Sequence, residues 1–259
     1  MKKRSRRSPT SDFFFGGRLF STNGIKAVLF DLDGTLRLYS PSGGDVFTEY
    51  LRGLGISISS EDAARASRWE HYYFANSPEI RADQQTFKES RESFWLNFTR
   101  RRLIALGLHP SRAIDLAGNV SAYMAEAYKP QVHVADDLRG ALPELQNAGY
   151  VLGVVSNREK PYQNELEEMG LDSHFKFSLA GGEVSSYKPE PGIFLRALEM
   201  AGTRPDETIY VGDNYYADVV GARRAGLRPV LYDPGSLFPE SECPAIKSFD
   251  ELKAVIKSM

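Results

Sequence analysis

Residues 26–36 read Lys-Ala-Val-Leu-Phe-Asp-Leu-Asp-Gly-Thr-Leu, and this stretch constrains the fold more than any other. The unbroken apolar run to Phe30 suits a parallel-sheet strand covered on both faces. At Asp31 the polarity switches. Asp31 and Asp33 stand two apart, so in extended chain both leave one face, and Gly34 permits a sharp exit. Two carboxylates at the end of a buried strand are costly unless a cation or a reaction holds them there. An Asx-type turn is the plain alternative. A calcium loop is excluded, because no Asp or Asn stands at position 35 and no Glu closes a 12-residue loop.

Leu36 to Gly44 reads as loop, with Pro41 and Gly43-Gly44 as breakers. Four helices are expected next. Val46, Tyr50 and Leu54 give the first its stripe, and Ser59-Ser60-Glu61-Asp62 opens the second, which runs toward Phe74. Gln84 to Leu106 reads as one long helix. Ile114, Ala117, Val120, Met124 and Ala127 mark the fourth, a set that makes a small bundle.

From about Val132 the rhythm becomes strand–helix alternation. Strands are expected at Tyr150–Val155, Phe175–Leu179, Thr208–Val211 and, last, Pro229–Tyr232; helices at Leu138–Ala148, Gln163–Met169, Gly192–Ala201, Asp218–Ala225 and Phe249–Ile256. Such alternation predicts an α/β fold with a parallel sheet and helices on both faces. The helical stretch separates the first strand from the rest. The expected division is a basic, disordered tail over 1–24, a discontinuous α/β core over 25–40 and 131–259, and a helical insertion over 41–130.

A chain of 259 residues with net charge −2 argues against a general nucleic-acid binder. One cysteine, Cys243, excludes an intrachain disulfide framework and a cysteine metal cluster; its proline-flanked stretch reads as surface. No apolar run reaches membrane-span length, and a cytoplasmic location is expected. The first 24 residues carry Lys2, Lys3, Arg4, Arg6, Arg7 and Arg18 against Asp12 alone, which weakly resembles a transit peptide. His71, His109, His133 and His174 show no metal spacing, and no G-x-G-x-x-G follows the first strand.

Four expected strand ends or loops carry polar groups: Asp31/Asp33, Ser156/Asn157, Lys188 and Asp213. In a parallel sheet these ends share one edge. The aspartates offer hard oxygens suited to Mg²⁺. Ser156 and Asn157 offer donors to phosphate oxygens. Lys188 stands just before a helix start, where N–H groups also favour anions.

The motifs Asp31-Leu32-Asp33-Gly34-Thr35-Leu36, Val154-Val155-Ser156-Asn157, Lys188-Pro189-Glu190-Pro191 and Val211-Gly212-Asp213-Asn214 with Asp218 occur in order. Together they resemble the haloacid dehalogenase-like hydrolase superfamily. The resemblance implies a Rossmann-like core with a small all-helical cap. It implies Asp31 as nucleophile, Asp33 as general acid/base, and Ser156, Asn157 and Lys188 on the phosphoryl group. Asp31, the Asp33 carbonyl and Asp213 would hold Mg²⁺, with Asp218 orienting Lys188. The implied activity is that of a Mg²⁺-dependent phosphatase acting on a small phosphorylated metabolite through an aspartyl-phosphate.

A phosphomutase would keep both aspartates. A haloacid dehalogenase would need neither the acid at position 33 nor Mg²⁺, and a non-catalytic binding protein is the alternative from another class. Phosphonate hydrolysis would require a cap lysine, and Lys88 and Lys129 have no telling context. Arg65, Arg68, Trp69, His71, Tyr72 and Tyr73 either line the cap's inner face or support its bundle. Arg37 either reaches substrate or is surface, and Tyr215 and Tyr216 would narrow the site. The approach Val132–Asp137 lacks the family's proline-glycine step, so the hinge geometry is left open.

Overall fold

The computed structural model describes residues 24–259; the expectation for the basic N-terminal stretch lies outside them, apart from Gly24. In chain order, β1 (Ala27–Phe30) leads through a loop to β2 (Leu38–Ser40). Five helices follow: α1 (Gly43–Gly53), α2 (Ser60–Phe74), α3 (Pro78–Thr86), α4 (Arg91–Ala105) and α5 (Pro110–Ala127). Strand β3 (Gln131–His133) returns the chain, pairing antiparallel with β2. Then come α6 (Asp136–Asn147), β4 (Val151–Ser156), α7 (Gln163–Glu168), β5 (Phe177–Ala180), α8 (Gly181–Val184) and α9 (Pro191–Ala201). The chain closes with β6 (Thr208–Gly212), a π-helical turn (Tyr215–Val219), α10 (Val220–Arg224), β7 (Arg228–Tyr232), β8 (Ala245–Ile246) and α11 (Leu252–Ser258).

The six-stranded sheet has the order β5-β4-β1-β6-β7-β8, and every pairing in it is parallel. All of β1 is buried, as a central parallel strand requires. Its side chains alternate: Val28 and Phe30 join one core with Leu138 and Leu142 of α6, while Leu29 joins a second with Ile193 and Phe194 of α9. Period-2 alternation in an all-apolar strand thus feeds two cores, one per face. Each fully buried aliphatic side chain contributes about 1.5–3 kcal/mol over its exposed form, which fixes the strand carrying Asp31 from both sides.

The helices α1–α5 have cores of their own, including Phe47, Leu51, Leu103 and Val120 in one cluster and Tyr73, Ile80 and Phe98 in another. Among the described residues no helix is long and apolar enough to cross a membrane.

Several expectations need correction. The stretch from Leu36 to Gly44 is not all loop: β2 lies within it, and Gly43 starts α1. Three residues are too few to show a period, and the partner of β2 lies beyond the five helices. The long helix read over Gln84–Leu106 breaks between Thr86 and Arg91, where Ser90 caps α4 by accepting the Ser93 N–H; a serine N-cap outweighed continuous apolar spacing. Leu54 and Ile114, assigned to buried stripes, are exposed, and Leu51 and Ala113 take those places. Strand β8 lies outside the expected last strand, β7. Cys243 is buried against Val219 and Leu231 rather than on the surface.

Candidate active site

The polar groups after β1, β4 and β6 meet at the carboxyl edge of the sheet. Lys188, from the loop before α9, is fully buried there. Its ammonium donates to Asp31 Oδ1 (2.5 Å), Asp218 Oδ1 (2.6 Å) and the Tyr210 hydroxyl (2.9 Å). Tyr210 in turn donates to the Val155 carbonyl at 2.9 Å, so its hydroxyl is satisfied both ways. Asn157 holds the Lys188 main chain reciprocally: its Nδ2 donates to the Lys188 carbonyl (2.8 Å) and its Oδ1 accepts the Lys188 N–H (2.6 Å). The Asn157 carboxamide is therefore engaged in positioning lysine, and its main-chain N–H is what it leaves for an anion. Ser156 is buried at the end of β4, the strand beside β1.

Asp213 is fixed through Thr35, whose hydroxyl accepts the Asp213 N–H (3.0 Å) and donates toward Asp213 Oδ1 (3.3 Å). The same hydroxyl lies 3.4 Å from Asp31 Oδ2. Gly34 has φ +93°, and a Cβ there would sit 2.4 Å from Asp213 Oδ2. Only glycine permits both that backbone and that approach. Asp218 has both oxygens engaged, by Lys188 and by the Asn214 N–H (2.9 Å).

Carboxylate oxygens of Asp31, Asp213 and Asp218 lie within 4.8 Å of one another. One ammonium cannot neutralise three clustered carboxylates, of which Asp31 and Asp218 are buried and Asp213 is half-buried. Burial drives the Asp31 carboxyl up to about 7, against the pull of Lys188. Burial and the neighbouring Asp31 charge carry Asp213 to about 7 as well. Burial would depress Lys188, but Asp218 and Asp31 outweigh it and hold the ammonium well above its ordinary value. This donor set, hard oxygens with surplus negative charge, fits a divalent cation.

Asp33 is placed differently. Arg158 grips its carboxylate through two bonds of 2.9 Å, Nε to Oδ2 and Nη2 to Oδ1. The Tyr39 hydroxyl donates to Oδ1 at 3.0 Å, and Arg37 Nη1 stands 3.3 Å away. Burial pulls this carboxyl upward, but Arg158, Tyr39 and Arg37 together outweigh it and hold Asp33 below the usual carboxylate value. Burial and the Asp33 charge push Tyr39 up to about 12.

Helix α2 sits over this edge. Asn214 Nδ2 donates to the His71 carbonyl (2.8 Å), Arg68 donates to the Leu237 carbonyl (3.2 Å), and Tyr72 meets Tyr216 edge-on. The residues Arg65–Tyr73 thus divide between both readings. Arg68, His71 and Tyr72 face the sheet domain, while Trp69 and Tyr73 pack into the bundle against Phe98. Tyr215 stacks on Phe238. His109 caps α5, His174 bonds Gln146, and His133 is exposed.

Four polar residues of this region escape sequence reasoning. Tyr210 leaves a signal, as the one hydroxyl inside the Ile-Tyr-Val run of β6. Arg158 directly follows Ser156-Asn157. Thr35 sits inside the first motif without a chemical role of its own, and Tyr39 has no local signal at all.

Residues 28–231 match the family described as haloacid dehalogenase-like hydrolase. The chain is 32% identical over 214 residues to a ribulose-1,5-bisphosphate 5-phosphatase of Halopiger xanaduensis, covering 80% of this chain and 84% of that one. It is 31% identical over 232 residues to a phosphoserine phosphatase of Thermus thermophilus, covering 83% and 91%. Among solved structures, a HAD phosphatase from Thermococcus onnurineus superposes with a TM-score of 0.53 at 25% identity, over 90% of this chain and 98% of that one.

Proposed function

Because the chain belongs to the haloacid dehalogenase-like hydrolases, we propose that it is a Mg²⁺-dependent phosphatase of small phosphorylated metabolites. The observation that carries this reading is the buried triad of Asp31, Lys188 and Asp218 with Asp213 beside it. The phosphatase names of the two curated relatives support it.

Asp31 is the nucleophile. One carboxylate oxygen attacks phosphorus, the bond from phosphorus to the ester oxygen breaks, and an aspartyl-phosphate forms. Asp33, which is ionised while Arg158 holds it, first leaves the guanidinium and takes up a proton from solvent. It gives that proton to the leaving alkoxide, then takes one from the water that breaks the phosphorus–Asp31 bond. Lys188, 2.5 Å from Asp31, favours its ionised form against burial and stabilises charge on the phosphoryl oxygens, with Ser156 and the Asn157 N–H as further donors. Asp218 and Tyr210 orient Lys188, and Asn157 holds its main chain. Asp31, Asp213 and the Asp33 carbonyl would hold Mg²⁺, which when bound offsets the surplus of carboxylates and polarises a phosphoryl oxygen.

The test is hydrolysis of p-nitrophenyl phosphate. Turnover with Mg²⁺, its loss in EDTA, and a fall of at least about 10³-fold in folded Asp31→Asn are expected. If folded wild type and Asp31→Asn are equally inactive on this ester and on a metabolite panel, the reading fails. Chloride release from a haloacid without metal would replace it with dehalogenation.

A further inference from the structure

The reaction proposed above requires Asp33 to face the leaving oxygen, yet its carboxylate is engaged elsewhere, with three donors on Oδ1 and one on Oδ2. Four donors converge on it: Arg158 Nε and Nη2, the Tyr39 hydroxyl and Arg37 Nη1. They come from three places in the chain, past β4, on β2 and just before β2. Behind them, Glu165 of α7 pairs with both guanidinium groups, with Arg37 at 2.9 Å and with Arg158. The cluster is balanced as it stands, with Arg37 and Arg158 against Asp33 and Glu165.

Turning Asp33 toward a leaving group upsets that balance. Two guanidinium groups then share Glu165 alone, and the planar fork of Arg158 has lost its carboxylate. A guanidinium fork matches carboxylate and phosphate through two parallel bonds. Both arginines are only about a quarter exposed or less, at 24% and 20%, so water replaces the lost partner incompletely. A substrate with a neutral alcohol leaves this deficit standing, whereas one with an anion on the alcohol side fills it.

We propose that Arg158 and Arg37 form the receptor for a second anionic group of the substrate. A carboxylate or phosphate on the alcohol portion takes the place of Asp33 on the fork, and its arrival releases Asp33 to face the ester oxygen. The substrate class is then a phosphate monoester carrying a second anion. This rests on Asp33 serving as the general acid/base. Recognition and catalysis are linked by one exchange of partners, because the group that marks the correct substrate also frees the acid.

The experiment compares kcat/KM, with Mg²⁺ present, for three esters on one frame: propyl phosphate, 3-phosphonooxypropanoate and 1,3-propanediol bisphosphate. Wild type should favour at least one ester with an anionic second end over propyl phosphate by about 10- to 100-fold, the range of one charge-assisted bidentate contact. Whichever of the two is preferred identifies the anion. Arg158→Met should lower that preference about tenfold or more, and Arg37→Met should lower it less. Arg158→Lys, which keeps the charge but not the fork, should restore only part of it. A purely structural role would lower all three esters in parallel and leave the ratio unchanged. That result, or a wild type that hydrolyses p-nitrophenyl phosphate without preferring an anionic ester, overturns the inference and leaves the phosphatase reading standing. A wild type inactive on every ester overturns both.

Discussion

Replacing Lys188 by methionine tests the centre of the site, since methionine nearly matches the lysine stem in volume and removes only the ammonium. In the folded protein that ammonium makes three bonds, of 2.5, 2.6 and 2.9 Å. Breaking a buried ion pair by removing one partner costs about 3–5 kcal/mol, because the other charge stays buried and uncompensated. Against a total stability of about 5–15 kcal/mol, this is a major loss. With a urea m-value of about 3 kcal/mol/M, the unfolding midpoint should fall by about 1–1.7 M.

The loss should also depend on pH. The Asp31 carboxyl stands near 7 when folded, above its unfolded value of 3.8. It therefore takes up protons on folding, and stability falls as pH rises between those values. Without Lys188 the folded values of Asp31 and Asp218 move higher still. The deficit of Lys188→Met should accordingly be largest near pH 8 and shrink toward pH 5, where the carboxyls accept protons. Adding Asp218→Asn should return part of the lost stability, because it removes one orphaned charge. The assay is urea unfolding followed by far-UV circular dichroism at both pH values. A midpoint shift below about 0.3 M, or equal shifts at pH 5 and pH 8, would refute the view that this ammonium holds the carboxylates in place.

Two further outcomes are expected. Gly34→Ala forces a Cβ to within 2.4 Å of Asp213 at φ +93°; it should cost about 1–2 kcal/mol from the backbone alone and reduce phosphatase turnover far beyond what that loss explains, so a variant with wild-type kcat would contradict the tight approach. Burial holds His71 down to about 4, with Asp233 opposing. Its neutral form is favoured by folding, so its stability contribution is intact above the unfolded value of 6.5 and is lost as pH falls toward 4. Relative to His71→Phe, the wild type should therefore lose roughly 2–3 kcal/mol between pH 7 and pH 4.5, and parallel stability curves would count against it.

How much could be read without coordinates depends on the range of the interaction involved. The sharp change from Phe30 to Asp31 is local, as are the apolar runs ending at Ser156 and Asp213, and each is visible in a few residues. Alternation of such runs with amphipathic stretches is enough to imply a parallel sheet, and a parallel sheet gathers its strand ends on one edge. The capping serine at Ser90 was equally local and was masked by regular apolar spacing through the helix break. Strand β2 was invisible for another reason: three residues acquire strand character only by pairing with β3, across the whole of α1–α5.

By itself, then, the sequence determined the α/β core, the edge where chemistry is concentrated, and the residues Asp31, Lys188 and Asp213 as candidates. Only the tertiary structure decided what each side chain meets. It put Asn157 on the main chain of Lys188 and placed Tyr210 beneath the ammonium. It split α2 into a face toward the bundle and a face toward the sheet. Above all, it separated the two aspartates of the first motif. Asp31 lies against Lys188, while Asp33 is held by Arg158, distant in sequence, and by Tyr39 of β2. The physical reason is one of distance along the chain. Polarity and backbone preference act over a few residues and are written in their order, whereas the charge a carboxylate faces is set by whichever remote segment folding brings beside it.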